Sequence, residues 1–170
     1  MNFCDWYQLQ ESSLEDLYTS SVDAFPKTTK RQYATNTIKI AKLDWTPYTG
    51  LKTLFVRALA QNEGREYNPV ILFKNVQYTE DGVALTIDDK IYKLKPLSFE
   101  NNDVLLRCQC QDFQWRFNYF DHLDQSLYGK KRKKYEALYH PDSANPQKMP
   151  GMCKHLMKMV KALQESKILR

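Results

Sequence analysis

Val104-Leu105-Leu106-Arg107-Cys108-Gln109-Cys110-Gln111-Asp112-Phe113 is where this chain changes character. Before it the apolar residues follow strand-like patterns; after it they cluster as aromatics and then recur at helical spacing. Val104 to Arg107 reads as the end of a strand. Side chains two apart in an extended chain point the same way, so the sulfurs of Cys108 and Cys110 can face one point. A second pair with the same spacing, Cys153 and His155, precedes an amphipathic run with Leu156, Val160 and Leu163 on one side. Helical geometry would set residues two apart roughly 200° around the axis. Cys153 is therefore expected at or just before the helix start, with His155 in the first turn. Pro150-Gly151 upstream breaks any earlier helix, and the helix N-terminus favours thiolate charge.

Three thiolates and one imidazole make the donor set of a closed structural zinc site, so Cys108, Cys110, Cys153 and His155 are read as ligands of one Zn2+ per chain. The site would carry a net negative charge, which Arg107 and Lys154 are placed to offset. Two other readings exist. A disulfide between Cys108 and Cys110 closes a short strained ring, and one from Cys110 to Cys153 strands Cys108. An iron–sulfur cluster more usually takes four cysteines. Four cysteines in 170 residues are too few for a disulfide scaffold, and no signal peptide opens the chain. Cys4 lies outside the pattern and reads as a partly buried thiol.

Working back from Val104, strand candidates are Ile38 to Trp45, Thr53 to Ala60, Val70 to Tyr78, Val83 to Ile87 and Lys90 to Leu94. Asp81-Gly82 and Asp88-Asp89 supply turn chemistry, so antiparallel hairpins are the expected connections. These paired acids read as turn residues, not catalytic dyads. Further back, Leu14, Leu17, Tyr18 and Val22 form one helical stripe after a capping-box spacing from Ser12 to Glu15, and Pro26 ends it. Lys27 to Arg31 reads as a polar linker.

Working forward, Asp112 is a candidate helix cap, and Gly129 a candidate stop beyond Leu123 and Leu127. Phe113, Trp115, Phe117, Tyr119 and Phe120 are too dense for a free surface and are expected in the core around the metal. Lys130, Lys131, Arg132, Lys133 and Lys134 form a basic run, expected as an exposed loop. An irregular connection limited by Pro141, Pro146 and Pro150 follows. His122 and His140 read as surface or turn residues.

The whole is α+β: an antiparallel β-sheet or hairpin segment followed by a helical zinc-binding region. Its parts are an N-terminal helical arm over 1–30, a β-rich segment over 31–107 and the zinc-binding region over 108–170, packed as one compact unit. With 42% hydrophobic and 13% aromatic residues the chain is a folded protein. No apolar run approaches the roughly 20 residues of a membrane span. The net charge of +5 is uneven: Gly129 to Arg170 holds 11 basic residues against Glu136, Asp142 and Glu165. No Gly-rich phosphate loop or Ser-His-Asp signature gives an enzyme a foothold. A closed four-ligand site leaves a zinc hydrolase no open position.

The run Cys108-Gln109-Cys110-Gln111-Asp112-Phe113-Gln114-Trp115-Arg116-Phe117, with Pro150-Gly151-Met152-Cys153-Lys154-His155-Leu156, resembles the SWIM class of zinc finger. That class carries C-x-C, a variable insertion, and C-x-H leading a helix. The fuller wording looks most like SWIM-like segments of tailed bacteriophages, commonly in virion structural proteins. The resemblance covers about 100–165. It implies a zinc-stapled module, located in the virion after assembly in the host cytoplasm, whose partners are other virion structural proteins. The alternative it allows is a nucleic-acid-binding module that contacts DNA through Lys130 to Lys134. With no base-reading helix in view, protein contact is the favoured expectation. Removing the metal is expected to unfold mainly the part after Cys108.

Overall fold

The computed structural model describes residues 12–24, 34–132, 145 and 147–170. Cys4, Lys27 to Arg31, Lys133, Lys134 and His140 lie outside the described residues. The first helix, α1 (Leu14–Ala24), begins one residue later than the Ser12–Glu15 spacing suggested. Ser13 is its cap: its Oγ accepts the Asp16 N–H at 3.3 Å, and its own N–H donates to the Asp16 carboxylate at 3.0 Å. Ser12 is spent elsewhere, donating to Asp124 at 2.7 Å. Leu14 and Leu17 are fully buried, as the helical stripe predicted.

The main sheet is antiparallel throughout. It comprises β1 (Lys39–Tyr48), β2 (Thr53–Asn62), β3 (Arg65–Tyr67), β4 (Val70–Phe73) and β7 (Val104–Arg107), in the order β1-β2-β4-β7. β3 and β4 lie end to end along one side of β2, pairing with residues 60–62 and 54–57 respectively. Along β2 the burial alternates: Leu54, Val56, Ala58 and Ala60 face the core, while Arg57 faces solvent. In register with them stand Phe73 and Ile71 of β4 and Val104 and Leu106 of β7, all buried. A strand with one buried face must alternate in this way, because a one-residue slip would expose the whole set.

β5 (Tyr78–Ile87) and β6 (Lys90–Leu94) form a separate hairpin. Asp88 and Asp89 make its two-residue turn with φ of 48° and 64°, the doubly left-handed turn that suits a twisted hairpin. Asp81-Gly82 is not a turn. It lies within β5, in a bulge where Leu94 opposes both Tyr78 and Val83. Leu85 and Leu94 bring the hairpin into the common core, and the Tyr78 hydroxyl donates to the Thr53 carbonyl at 2.5 Å.

After Cys110 the chain enters a helical segment whose middle, Phe113–Phe117, is a π-helical turn, followed by α2 (Asn118–Leu123). Asp112 is already helical and makes no capping bond; its carboxylate holds Arg116 at 2.7 Å instead. The helix stops at Gln125 (φ 63°), before Gly129. Leu127 therefore lies outside it, bridging Leu106 in parallel beside β7. The last helix, α3 (Lys154–Glu165), buries Leu156, Met157, Met159, Val160 and Leu163. The chain then returns to pair with the 97–99 segment: Leu97 N–H donates to Ile168, and Arg170 N–H to Leu97, both at 2.7 Å. The architecture is α+β, with the cysteine–histidine cluster following the sheet. Among the described residues, no helix is long and apolar enough to cross a membrane.

Candidate metal centre

Cys108 follows the last residue of β7, and Cys110 starts the helical segment beyond it. The turn between them is held from three sides. Gln114 donates its side-chain amide to the Cys108 carbonyl at 2.7 Å. The Phe113 N–H points at the Cys110 sulfur at 3.4 Å, and the exposed Gln109 accepts the Asn68 N–H at 2.9 Å. Cys153 is the N-cap of α3, with extended φ/ψ of −77° and 171°. His155 falls in the first turn, the placement that the spacing predicted.

The strap Pro150-Gly151-Met152 that delivers Cys153 is stitched to two helices. Ser20 of α1 donates to the Pro150 carbonyl at 2.8 Å, Ser21 accepts the Met152 N–H at 2.7 Å, and Asp121 of α2 accepts the Gly151 N–H at 2.7 Å. Gly151 is more than a helix breaker. A Cβ there would run into the Ser21 hydroxyl and stand 2.8 Å from the Phe117 ring. The strap can lie this low only because the residue has no side chain.

These elements bring one ligand atom from each of Cys108, Cys110, Cys153 and His155 within 4.8 Å of one another, all four residues buried. His155 turns Nδ1 toward the sulfurs, 3.9 Å from Cys108 and 4.0 Å from Cys153. Tetrahedral bonds of about 2.3 Å to sulfur and 2.0–2.1 Å to nitrogen imply ligand-to-ligand edges of about 3.5–3.8 Å. The cluster therefore needs only a slight contraction to close on an ion. The three cysteines are free thiols, not disulfides.

Electrostatics point the same way. Three buried sulfurs this close cannot all ionise unaided. Cys110 is held far below the ordinary thiol range, chiefly by its hydrogen bond with Cys108 and then that with Cys153. Cys108 is pushed up, chiefly because it donates to Cys110, and Cys153 is pushed up by burial. A bound cation removes this competition by stabilising all three thiolates at once. The donor set, spacing and burial fit one metal ion.

The outer face of His155 has no polar partner among the described residues. Its Nε2 is buried without a hydrogen bond, and the Tyr67 ring of β3 lies against the imidazole with centroids 4.3 Å apart. Packing, not a carboxylate, orients the ring here. Arg107 does not turn toward the sulfurs to offset their charge. It donates to the carbonyls of Tyr128 and Lys130 at 3.1 and 2.8 Å.

The aromatic run divides. Phe113 and Phe117 are fully buried, Tyr119 and Phe120 half-buried, and Trp115 is exposed. Arg132 lies over its ring, 5.3 Å from the centroid. Lys130, Lys131 and Arg132 are exposed as expected, but the run is tied down at its base, since the Arg132 N–H donates to Asn118 at 2.7 Å. His122 is exposed on α2.

Asp121 is the residue that the sequence did not flag. It is fully buried, its second carboxylate oxygen has no hydrogen-bond partner among the described residues, and burial holds its carboxyl well above the ordinary range. The bond from Gly151 opposes that rise without cancelling it. An isolated Asp on a short helix leaves no trace in sequence of the strap that buries it. No protein-family model, curated protein or solved structure matches this chain.

Proposed function

We propose that this chain is a zinc-stapled structural protein that works by presenting a rigid surface to other proteins, as a virion component of a tailed bacteriophage. The observation that carries the reading is the closed, buried Cys3His cluster at the joint between sheet and last helix. A zinc ion there would be held by Cys108, Cys110, Cys153 and Nδ1 of His155, and would supply folding energy. With all four tetrahedral positions taken by protein, no place remains for a water nucleophile or a substrate, so the reading is non-enzymatic. The virion assignment is supported by the C-x-C-x-D-F and P-G-x-C-K-H-L wording and its resemblance to SWIM-like phage segments.

The experiment has two arms. Elemental analysis of the purified chain should find one zinc per molecule, and finding no metal would remove the staple. Mass spectrometry of purified phage particles should find its peptides at stoichiometric level. Their restriction to the soluble fraction of infected cells would remove the virion role. A second reading, nucleic-acid binding, is favoured by one observation, the exposed Lys130, Lys131 and Arg132.

A further inference from the structure

The inner face of the main sheet is core, and its outer face has a composition of its own. Two cross-strand rows point outward. Phe55 stands in register with Leu72 and Leu105, and Arg57 with Val70 and Arg107. Tyr128, from the segment bridged to β7, reaches the same face and packs its ring against Phe55 with centroids 5.3 Å apart. The Arg57 guanidinium sits 5.9 Å from the Phe55 ring centroid. Between the rings, the two arginines and Val70 opens a cleft of about 360 Å³.

The two charged side chains of this cleft, Arg57 and Arg107, are both cationic, and Cys108 of the cluster borders it. None of its lining residues is acidic. Asp44, which stands opposite Arg57 across β1 and β2, is paired instead with Lys42 at 3.0 Å. Arg107, which lines the cleft, commits one nitrogen to the carbonyls of Tyr128 and Lys130. From Tyr128 the chain runs directly into Lys130, Lys131 and Arg132, all exposed. Two solvent-facing rings thus lie at the head of a continuous cationic track.

We propose that this outer face binds a single strand of nucleic acid, with bases stacked on Phe55 and Tyr128 and phosphates taken by Arg57, Arg107 and the Lys130–Arg132 track. Stacking platforms set in a basic groove are the physical means of holding single strands without reading sequence. A duplex would offer the same phosphates but keep its base faces hidden, and an acidic protein would use the arginines but not the ring pair. The inference deepens the nucleic-acid reading, with which it shares Lys130, Lys131 and Arg132, and does not depend on the virion role.

The test uses the full, metal-loaded chain and fluorescence anisotropy with a labelled oligothymidylate, its duplex counterpart and polyglutamate as competitor. The single strand is expected to bind more tightly than the duplex. Tyr128→Ala and Phe55→Ala should each weaken binding about tenfold at fixed salt, while Tyr128→Phe retains it. Arg57→Gln, at an exposed position that should not disturb folding, should lower the magnitude of the salt slope by about 0.7, one phosphate contact on a single strand. Equal affinity for duplex, or ring variants that fold and bind like the parent, would overturn the proposal. So would displacement of the oligonucleotide by polyglutamate at matched charge, which would make the face a dock for an acidic protein.

Discussion

At Cys153 a single residue holds two positions, the N-cap of α3 and one corner of the buried cysteine–histidine cluster at the sheet–helix joint. Cys153 makes no side-chain capping bond, and serine is the better cap, so a net loss of stability in Cys153→Ser reports the missing thiolate. The expected outcome is loss of bound metal with a stability cost above about 4 kcal/mol, a range reached by metal loss and few other single changes. Metal content and urea denaturation check it together. Asp121 supports a second prediction, about pH. Folded, its carboxyl is raised by burial, while in the unfolded chain it titrates near 3.8. Above that pH the folded state holds a proton that the unfolded state has lost. Stability therefore falls as pH rises toward the folded value and is level beyond it. Asp121→Asn keeps an acceptor for Gly151 and cannot titrate. Its stability relative to the parent should improve from about pH 4 upward, by at most about 1.4 kcal/mol per pH unit while the window lasts. Denaturation curves across that range, at equal metal occupancy, would show a flat difference if Asp121 were ionised in the folded protein.

Among the elements, the β5–β6 hairpin shows what sequence can and cannot reveal. Asp88-Asp89 reads as a turn and is one, because two alternating runs abut it directly. Asp81-Gly82 carries the same chemistry and lies inside a strand, because a bulge asks for the same permissive residue as a turn. The distinction is made by Leu94, whose backbone approaches so closely that a Cβ on Gly82 would stand 2.7 Å from its nitrogen, with other atoms nearer still. Gly82→Ala should therefore cost about 1–3 kcal/mol by forcing the backbones apart. Gly50→Ala meets nothing within 4 Å and should be nearly neutral, so thermal melts of the two variants test the bulge against a general intolerance of glycine loss. The cap of α1 is a milder case: Ser13→Ala should cost about 1 kcal/mol, and Ser12→Ala should act through Asp124 instead. Other elements were illegible for definite reasons. Arg65-Glu66-Tyr67 is too short and polar to read as a strand and becomes one only against β2. The π-turn places Phe113 and Phe117 in the core while Trp115 stays out, a division that aromatic density cannot convey. The cysteine–histidine cluster was legible because paired spacing is a local signal. The outward rings were not, because Phe55 and Tyr128 meet only when β2, β4 and β7 are laid side by side.

At the scale of the molecule, the described residues after Cys108 have no core separate from the sheet. Leu14 and Leu17 of α1, the inner face of β2, β4 and β7, and Leu156, Val160 and Leu163 of α3 belong to one contiguous cluster, which also takes in Cys108, Cys110 and Cys153. The chain end closes the circuit, with Ile168 to Arg170 hydrogen-bonded to the 97–99 segment. A metal held there would, on removal, leave three thiols competing for protons at the centre of that cluster and take away the tie between the end of β7 and the start of α3. If α3 leaves, the inner face of β2 is stripped of its cover, and a five-stranded sheet with one bare apolar face has little to keep it folded. The sequence suggested that chelation would unfold mainly the region beyond Cys108; the shared core predicts one cooperative loss instead. After chelation, amides of β2 should lose protection from hydrogen exchange together with those of 154–165, and the thermal transition should shift down as a single step. Persistent protection of 53–62 with full exchange in α3 would show that the sheet stands alone and that the metal holds only its neighbour.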